Sequence, residues 1–153
     1  MELELIRAIA DFQFGRGVGE KLFPDSVKIL KGKTGRIRWI YLNNTLLATI
    51  EPTTGFLILT YEGGLRLKEI LEYPKYRIVI SDEAVPFVSK GKSVFCKFVI
   101  DLDEEILPKD IVLIVDKKDN LIAVGEAKLS ALEIKQFKKG VAAVVKHIKK
   151  KKT

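Results

Sequence analysis

KGKSVFCKFVI, residues 90–100, carries the strongest structural signal in the chain. Apolar side chains recur there at every second position, which is the period of a half-buried strand. We therefore predict a strand over residues 93–100. Its core-facing side chains are Val94, Cys96, Phe98 and Ile100. Its outer face places an aromatic ring next to a cation, in the series Ser93, Phe95, Lys97 and Val99.

Outward from this strand, the second half of the chain predicts a small barrel. Strands are predicted over residues 76–80, 111–115, 121–128 and 141–148, with a short helix near residues 82–89. Ser130 and Glu133 form a capping box that begins a second helix, because each side chain can bond an otherwise unpaired amide. Gly140 is predicted to end that helix. Five short strands with two helices favour a mixed β pseudobarrel over a sandwich.

The first half predicts a small domain of helices and an antiparallel sheet. Its opening helix has an apolar face made by Leu5, Ile6, Ile9 and Phe12, and a short helix follows over residues 17–23. Strands are predicted over residues 27–30, 35–42, 46–50 and 56–60, with a hairpin turn at Asn43-Asn44-Thr45 and a closing helix over residues 65–71. The fold class is therefore α+β, with one domain over residues 1–74 and a second over residues 75–153, which ends in a basic tail.

The charge of the chain is unevenly distributed. Lysine and arginine number 27 against 20 acidic residues, a net charge of +7. From Lys135 onward the chain carries eight lysines and no side-chain carboxylate. Such an excess favours a polyanionic partner, because binding to phosphates releases counterions. A solvated lysine surface, or the high lysine content that accompanies growth at high temperature, is the alternative interpretation.

Composition also limits the class of protein. No apolar run approaches the roughly 18–20 residues that span a bilayer, and the start lacks the blocks of a signal peptide, so we expect a cytoplasmic protein without membrane contact. Cys96 is the one cysteine, which excludes an internal disulfide and a cysteine-based zinc site. Its apolar neighbours predict that it is a small buried side chain.

Motifs of catalysis are not found. FGRGVGE, residues 14–20, suggests a phosphate loop, but Glu20 occupies the place of the third glycine, so we interpret the segment as a bend between two helices. His147 is the single histidine and is interpreted as a strand-end residue without partners for a triad or metal site. Asp103, Glu104 and Glu105 are interpreted as solubilising charge on an exposed loop. We therefore expect no enzyme activity, no cofactor and no metal.

Residues 77–99, RIVISDEAVPFVSKGKSVFCKFV, resemble the first part of a PUA domain, the RNA-binding pseudobarrel of pseudouridine synthases and archaeosine transglycosylases. The segment PKDIVLIVDKKDNLIAVGEAKLSALEIKQFKKGVAAVVKH, residues 108–147, resembles the remainder. In the first half, ADFQFGRGVGEKLFP and TGRIRWIYLNNTLLATI resemble the segment that precedes the PUA domain in archaeal tRNA-guanine transglycosylase and archaeosine synthase. The catalytic barrel and zinc site of those enzymes have no counterpart in this sequence.

The resemblance implies an RNA surface along the first helix of the PUA-like half, the glycine loop, the second strand and the last strand. The corresponding residues are Lys90, Gly91, Lys92, Ser93, Phe95, Lys97, Lys146 and Lys149. Aromatic rings stack on bases and lysines meet phosphates. The alternatives are that Phe95 packs against the tail or the first domain, and that the lysines are simply solvated.

A second group of cations lies in the first half. Within residues 35–42, Ile37, Trp39 and Tyr41 alternate with Arg36, Arg38 and Ile40, which predicts that the two arginines share one sheet face. That face could extend the RNA surface, contact a protein partner or be solvated. The expected function is that of a non-catalytic RNA-binding protein, for tRNA above other RNAs, that could serve a separate catalytic subunit. The alternative is a ribosome- or translation-associated assembly module that binds mainly protein.

Overall fold

The computed structural model of the chain describes residues 1–150. The chain folds into two compact units, one over Met1–Ile70 and one that begins at Leu71. No helix within residues 1–150 is both long and apolar enough to cross a bilayer. The predicted basic tail is described only to Lys150, and its last three residues lie outside the described part.

The first unit combines three helices with a four-stranded antiparallel sheet. In chain order its elements are α1 (Glu2–Phe14), α2 (Val18–Leu22), β1 (Lys28–Lys31), β2 (Ile37–Leu42), β3 (Thr45–Ile50), β4 (Leu57–Leu59) and α3 (Tyr61–Ile70). The strands are ordered β1-β2-β3-β4. The hairpin predicted between β2 and β3 is confirmed, since Asn43 and Asn44 adopt φ values of 49° and 67°.

The apolar face predicted for α1 is partly wrong. The buried side chains are Ile6, Ala10 and Phe14, which follow one another at intervals of four. Phe12 is 77% exposed and Leu5 54% exposed. At about 100° of rotation per residue, Leu5 and Phe12 lie on nearly the opposite side of the helix from the buried stripe, and the small side chain of Ala10 gives that stripe only a weak apolar signal. The ring of Phe12 stacks instead on Phe56, with centroids 5.7 Å apart.

The predicted bend at residues 14–20 joins α1 to α2. Gly15 and Gly17 adopt φ values of 123° and 88°, which L side chains rarely take. Gly19 has a different role, because a Cβ atom there would lie 2.2 Å from the carbonyl oxygen of Arg7. The amide of Gly19 donates to Asp11 Oδ1 over 2.7 Å. These glycines therefore permit a close helix–helix contact.

The simple alternation predicted for β2 is wrong. Ile37 and Ile40 are its buried residues, whereas Trp39 and Tyr41 are only half-buried. In the pairing with β1, Leu30 faces Trp39 but the next residue, Lys31, faces Ile37. Arg38 is therefore the extra residue of a bulge in β2. A bulge displaces the side chains that follow it from the period of two.

The second unit is a mixed six-stranded sheet, curled into a nearly closed barrel. Its elements are β5 (Arg77–Ile80), α4 (Val85–Val88), β6 (Val94–Phe95), a 3-10 helix (Cys96–Phe98), β7 (Val99–Leu102), β8 (Ile111–Val115), β9 (Leu121–Ala127), α5 (Ala131–Gln136) and β10 (Val141–Ile148). The strand order is β6-β10-β9-β8-β5-β7, and only the β5–β8 pair is parallel. This confirms the predicted α+β class and the mixed pseudobarrel with two short helices.

The strand predicted over residues 93–100 is two strands. β6 pairs with β10 at one edge of the sheet and β7 pairs with β5 at the other. The 3-10 helix Cys96–Phe98 turns the chain between them, so one continuous segment joins both edges and brings the sheet close to closure. Val94 and Cys96 are buried as predicted, but Ile100 is 50% exposed, because the turn interrupts the alternation.

Helix α5 begins as predicted and ends earlier. Ser130 Oγ accepts from the Glu133 amide over 3.2 Å, and Glu133 Oε1 accepts from the Ser130 amide over 3.0 Å, which confirms the capping box. Gly140 does not end the helix. Phe137 ends it with an extended backbone, and Gly140 lies directly before β10 with a φ of 102°.

The three carboxylates of the acidic loop differ in exposure, and only two of them are solvated charges. Glu104 and Glu105 are exposed and form ion pairs with Lys135 and Lys75. Asp103, in contrast, is 7% exposed, and its carboxylate accepts from the amides of Tyr76 and Glu105 over 2.7 and 3.0 Å. Asp103 therefore fixes the entry to β5, and the prediction of a solvated charge is wrong for this residue.

Candidate nucleic-acid interface

The turn after α4 presents the predicted lysine–glycine–lysine segment to solvent. The amides of Lys90 and Lys92 both donate to the carbonyl oxygen of Phe87 over 3.1 Å, and the Gly91 amide donates to Val88 over 2.9 Å. Gly91 has a φ of 100°, and no atom would lie within 4 Å of a Cβ added there. Glycine is therefore required by the backbone conformation, and the space above the turn is open.

Strand pairing decides at which end of the β6–β10 pair this turn lies. β6 and β10 are antiparallel, with Phe95 opposite Val141 and Val94 opposite Ala143. Residues that precede Val94 therefore run alongside residues that follow Ala143. The turn of Lys90 and Lys92 thus lies at the same end of the β6–β10 pair as Lys146.

The lysines at this end are exposed for a structural reason. Between Val145 and His147 the register of β10 with β9 shifts, which leaves Lys146 as the extra residue of a bulge. Lys146 and Lys149 are both exposed, whereas Ser93 is half-buried. His147 lies within β10, near its end, as predicted. Lys90 and Lys92 thus lie at the same end of the β6–β10 pair as Lys146, and Lys149 follows β10 directly.

Phe95 marks the other end of this surface. Its side chain is 44% exposed although it lies in a strand that pairs with β10. Cys96, the next residue, is buried, and burial raises the pKa of its thiol. Cys96 therefore packs into the core as predicted, while Phe95 offers an accessible aromatic face.

Lys97 is not on the strand face predicted for it. It lies in the 3-10 helix, with its Nζ 5.1 Å from the centroid of the Phe98 ring. Lys97 lines a groove together with Lys135 and Lys138. Along the chain, Phe95 lies between the Lys90 turn and this groove residue. The pairing of Phe95 and Lys97 on one strand face is therefore wrong.

The two arginines of the first unit differ in environment. Arg36 is exposed, whereas Arg38 is half-buried, with its guanidinium carbon 5.5 Å from the centroid of the Trp39 ring. Because β2 contains a bulge at this point, the alternation that would place both on one face is interrupted. The structure therefore does not support the prediction that Arg36 and Arg38 share one sheet face.

Some exposed residues of the same domain lie outside the set predicted from sequence. Phe87 on α4 is 62% exposed, and Lys138 and Lys139 are exposed in the loop before β10. The run of charged residues at 138–139 is visible in the sequence, but its position beside β7 depends on the fold. Within residues 1–150 no group of three or more histidine, cysteine or acidic side chains is arranged to hold a metal ion.

Two known families cover nearly the whole chain. Residues 4–74 match the patch-forming domain C2 of tRNA-guanine transglycosylase. Residues 76–149 match the PUA domain. The chain contains a C2 domain followed by a PUA domain. The predicted resemblance is therefore confirmed, and the surface of α4, β6 and β10 belongs to the PUA domain.

The C2 and PUA domains together are similar to part of longer archaeal proteins. The chain is 48% identical over 142 residues to the tRNA-guanine(15) transglycosylase of Methanobrevibacter smithii, which is 92% of this chain and 22% of that protein. It is 45% identical over 141 residues to that of Thermococcus onnurineus, covering 92% and 24%. The chain thus spans less than a quarter of these relatives, and the rest of their length has no counterpart in these 153 residues.

Solved structures share the fold. A hypothetical protein of Pyrococcus horikoshii superimposes with a TM-score of 0.77 at 24% identity, covering 96% of this chain and 89% of that one. A PUA domain protein of Thermoplasma acidophilum gives a TM-score of 0.67 at 18% identity, covering 95% and 86%.

Proposed function

We propose that this chain is a cytoplasmic, non-catalytic RNA-binding protein whose ligand is tRNA. The observation that carries the proposal is the exposed Lys90–Gly91–Lys92 turn, placed by strand register at the same end of the β6–β10 pair as Lys146. The relatives support the choice of tRNA, because the archaeal proteins at 48% and 45% identity are tRNA-guanine(15) transglycosylases.

The chemistry of this surface suits a nucleic acid better than a protein. Lysine ammonium groups bind phosphates with little dependence on sequence, and each such interaction releases counterions. No atom lies within 4 Å of the Cβ position of Gly91, so a phosphate can approach the backbone there closely. Phe95 adds an exposed ring on which an unpaired base can stack.

The two domains that the chain matches support a recognition role. They correspond to 22% of the Methanobrevibacter smithii enzyme, and the lysine surface contains no nucleophile with an adjacent base. We propose that the chain supplies tRNA recognition to a catalytic subunit carried on a separate polypeptide. The two arginines Arg36 and Arg38 then remain candidates for an interaction with RNA or with that subunit.

Filter binding of tRNA across a salt series tests the RNA proposal. The K90A/K92A double variant is expected to weaken binding and to lower the slope of log K against log salt by about 0.7–0.9 for each phosphate that is no longer neutralised. Lys75→Ala is the matched control, because it removes a lysine that is already paired with Glu105. Absence of affinity at low salt would overturn the proposal.

A pull-down from an archaeal lysate tests the catalytic partner. We expect a transglycosylase-like protein to be retained with the tagged chain. Treatment with RNase separates the two functions: a ribosomal partner that survives RNase, together with no tRNA affinity, would establish the assembly alternative instead.

A further inference from the structure

A groove of about 500 Å³ lies within the PUA domain, between β7 and α5. Its floor is the whole of β7, which is an edge strand of the sheet. Its opposite wall is formed by the end of α5 and by Phe137 and Lys138. The groove is separate from the turn of Lys90 and Lys92, which does not line it.

The groove exposes large apolar side chains for reasons built into the fold. Ile100 is 50% exposed and lies where the register between β5 and β7 shifts. Phe137 is 46% exposed and lies where α5 gives way to extended backbone. Both side chains line the groove, so they offer an apolar surface that is not used by the core.

The rim of the groove is positively charged. Three lysines line it, Lys97, Lys135 and Lys138, against one carboxylate, Asp101. That carboxylate already accepts from the Tyr73 hydroxyl over 3.0 Å and from the Leu102 amide over 2.9 Å. Lys135 is paired with Glu104. A ligand that combines a flat apolar part with a negative charge therefore complements the groove.

We propose that the groove binds a nucleotide of single-stranded RNA. The base contacts Ile100 and Phe137, and the phosphate contacts Lys97 and Lys138. This inference rests on the proposed RNA-binding function and extends its surface, because Lys97 follows Phe95 by two residues and its neighbour Cys96 bonds Gly140 directly before β10. An RNA strand that stacks on Phe95 can thus continue into the groove.

The positive charge of the chain and the exposed aromatic ring beside the groove favour RNA over an acidic peptide as the ligand. The chain carries an excess of seven positive charges, and an accessible aromatic ring, Phe95, lies just outside the groove. Base stacking on aromatic rings tolerates any sequence and combines with lysine–phosphate interactions in single-strand binding. A peptide would not use Phe95 in this way.

Binding of a single-stranded RNA of about 12 nucleotides tests the inference. The F137A/K138A variant is expected to weaken binding by about 5- to 100-fold and to lower the salt slope by about 0.7. F137L/K138A should be impaired less, since it keeps an apolar side chain against the base. Lys75→Ala again serves as control, and circular dichroism checks that each variant is folded.

A benzophenone amino acid at position 137 supplies a direct readout. We expect it to crosslink to the RNA, in the K90A/K92A background as well. If F137A/K138A binds RNA like the wild type while K90A/K92A does not, the groove proposal is wrong and the RNA-binding function stands. If the wild type binds no RNA, both are wrong. Occupancy of the groove by polyglutamate in place of RNA would also overturn the groove proposal.

Discussion

Arg77 and Asp119 form an ion pair in which the guanidinium group is almost completely buried. Arg77 Nε lies 3.2 Å from Asp119 Oδ1, and Nη2 lies 3.3 Å from Oδ2. Nη1 donates to the carbonyl oxygens of Leu71 and Lys75. The side chain of Arg77 is 2% exposed, whereas that of Asp119 is 29% exposed. This pair links β5 to the hairpin between β8 and β9.

Removal of the carboxylate should destabilise the PUA domain strongly. Asp119→Asn keeps a residue that tolerates the positive φ of 61° at this position but leaves the buried guanidinium without a carboxylate, and we expect a decrease of about 1.5–3 kcal/mol in the free energy of unfolding. Asp82→Ala is the control, because it breaks an exposed pair with Lys117 and should cost less than about 1 kcal/mol. Urea unfolding measures both. Equal decreases in the two variants would contradict the assigned role of the buried pair.

The glycines between α1 and α2 should differ in their tolerance of alanine. Gly19→Ala places a Cβ atom 2.2 Å from the carbonyl oxygen of Arg7, and we expect a cost of about 3 kcal/mol or more because two backbones must separate. Gly17→Ala meets no atom within 4 Å and should cost only about 1–2 kcal/mol for its positive φ. Thermal unfolding of both variants measures the two costs. A larger cost for Gly17→Ala than for Gly19→Ala would refute the close-contact interpretation.

Gln13 should hold α1 to β4 through both ends of its side-chain amide. Its Nε2 donates to the Leu57 carbonyl over 3.1 Å, and its Oε1 accepts from the Leu57 amide over 2.6 Å. Gln13→Ala is expected to cost about 1–3 kcal/mol. Gln13→Glu keeps the acceptor but removes the donor, so it should also destabilise at neutral pH. A neutral effect of Gln13→Glu, measured by chemical unfolding, would show that the donated bond is unimportant.

Asp110 should make the stability depend on pH. Burial raises the pKa of this carboxyl above its ordinary value of 3.8. The folded state therefore holds the proton more tightly than the unfolded state, and stability decreases as the pH rises from the unfolded-state value through the folded-state pKa. Asp110→Asn removes this decrease. We expect its melting temperature, relative to wild type, to be higher at pH 7 than at pH 3.5. If the melting temperatures of the variant and the wild type differ by the same amount at both pH values, Asp110 does not cause this pH dependence.

Phe95 should contribute to RNA binding without contributing charge. Phe95→Ala is expected to weaken binding of single-stranded RNA by about 5- to 100-fold, which corresponds to one stacked base, and to leave the salt slope unchanged. Lys92→Ala should instead lower the slope, by about 0.7–0.9. Filter binding at several salt concentrations separates the two. Wild-type affinity of Phe95→Ala would favour a packing role for the ring.

The candidate surface was predictable where its signal is local. The turn of Lys90, Gly91 and Lys92 depends on a glycine with positive φ that follows a short helix, and both features lie within a few residues. Lys97 was misplaced, because its position depends on where the strand breaks. The groove with Phe137 and Lys138 combines segments about forty residues apart and has no pattern in the sequence.

The features that follow from the amino-acid sequence alone are those set by short-range physical chemistry. The paired asparagines set the β2–β3 hairpin, the Ser130–Glu133 pair sets the start of α5, and unbroken apolar runs set β8 and the first five residues of β10. Each depends on atoms within one or two turns of chain. The division of residues 93–100 between two edges of the barrel emerges only in the folded domain. Alternating hydrophobicity indicates which side chains are covered, but closure depends on which strands pair, and that is settled by packing across the whole domain.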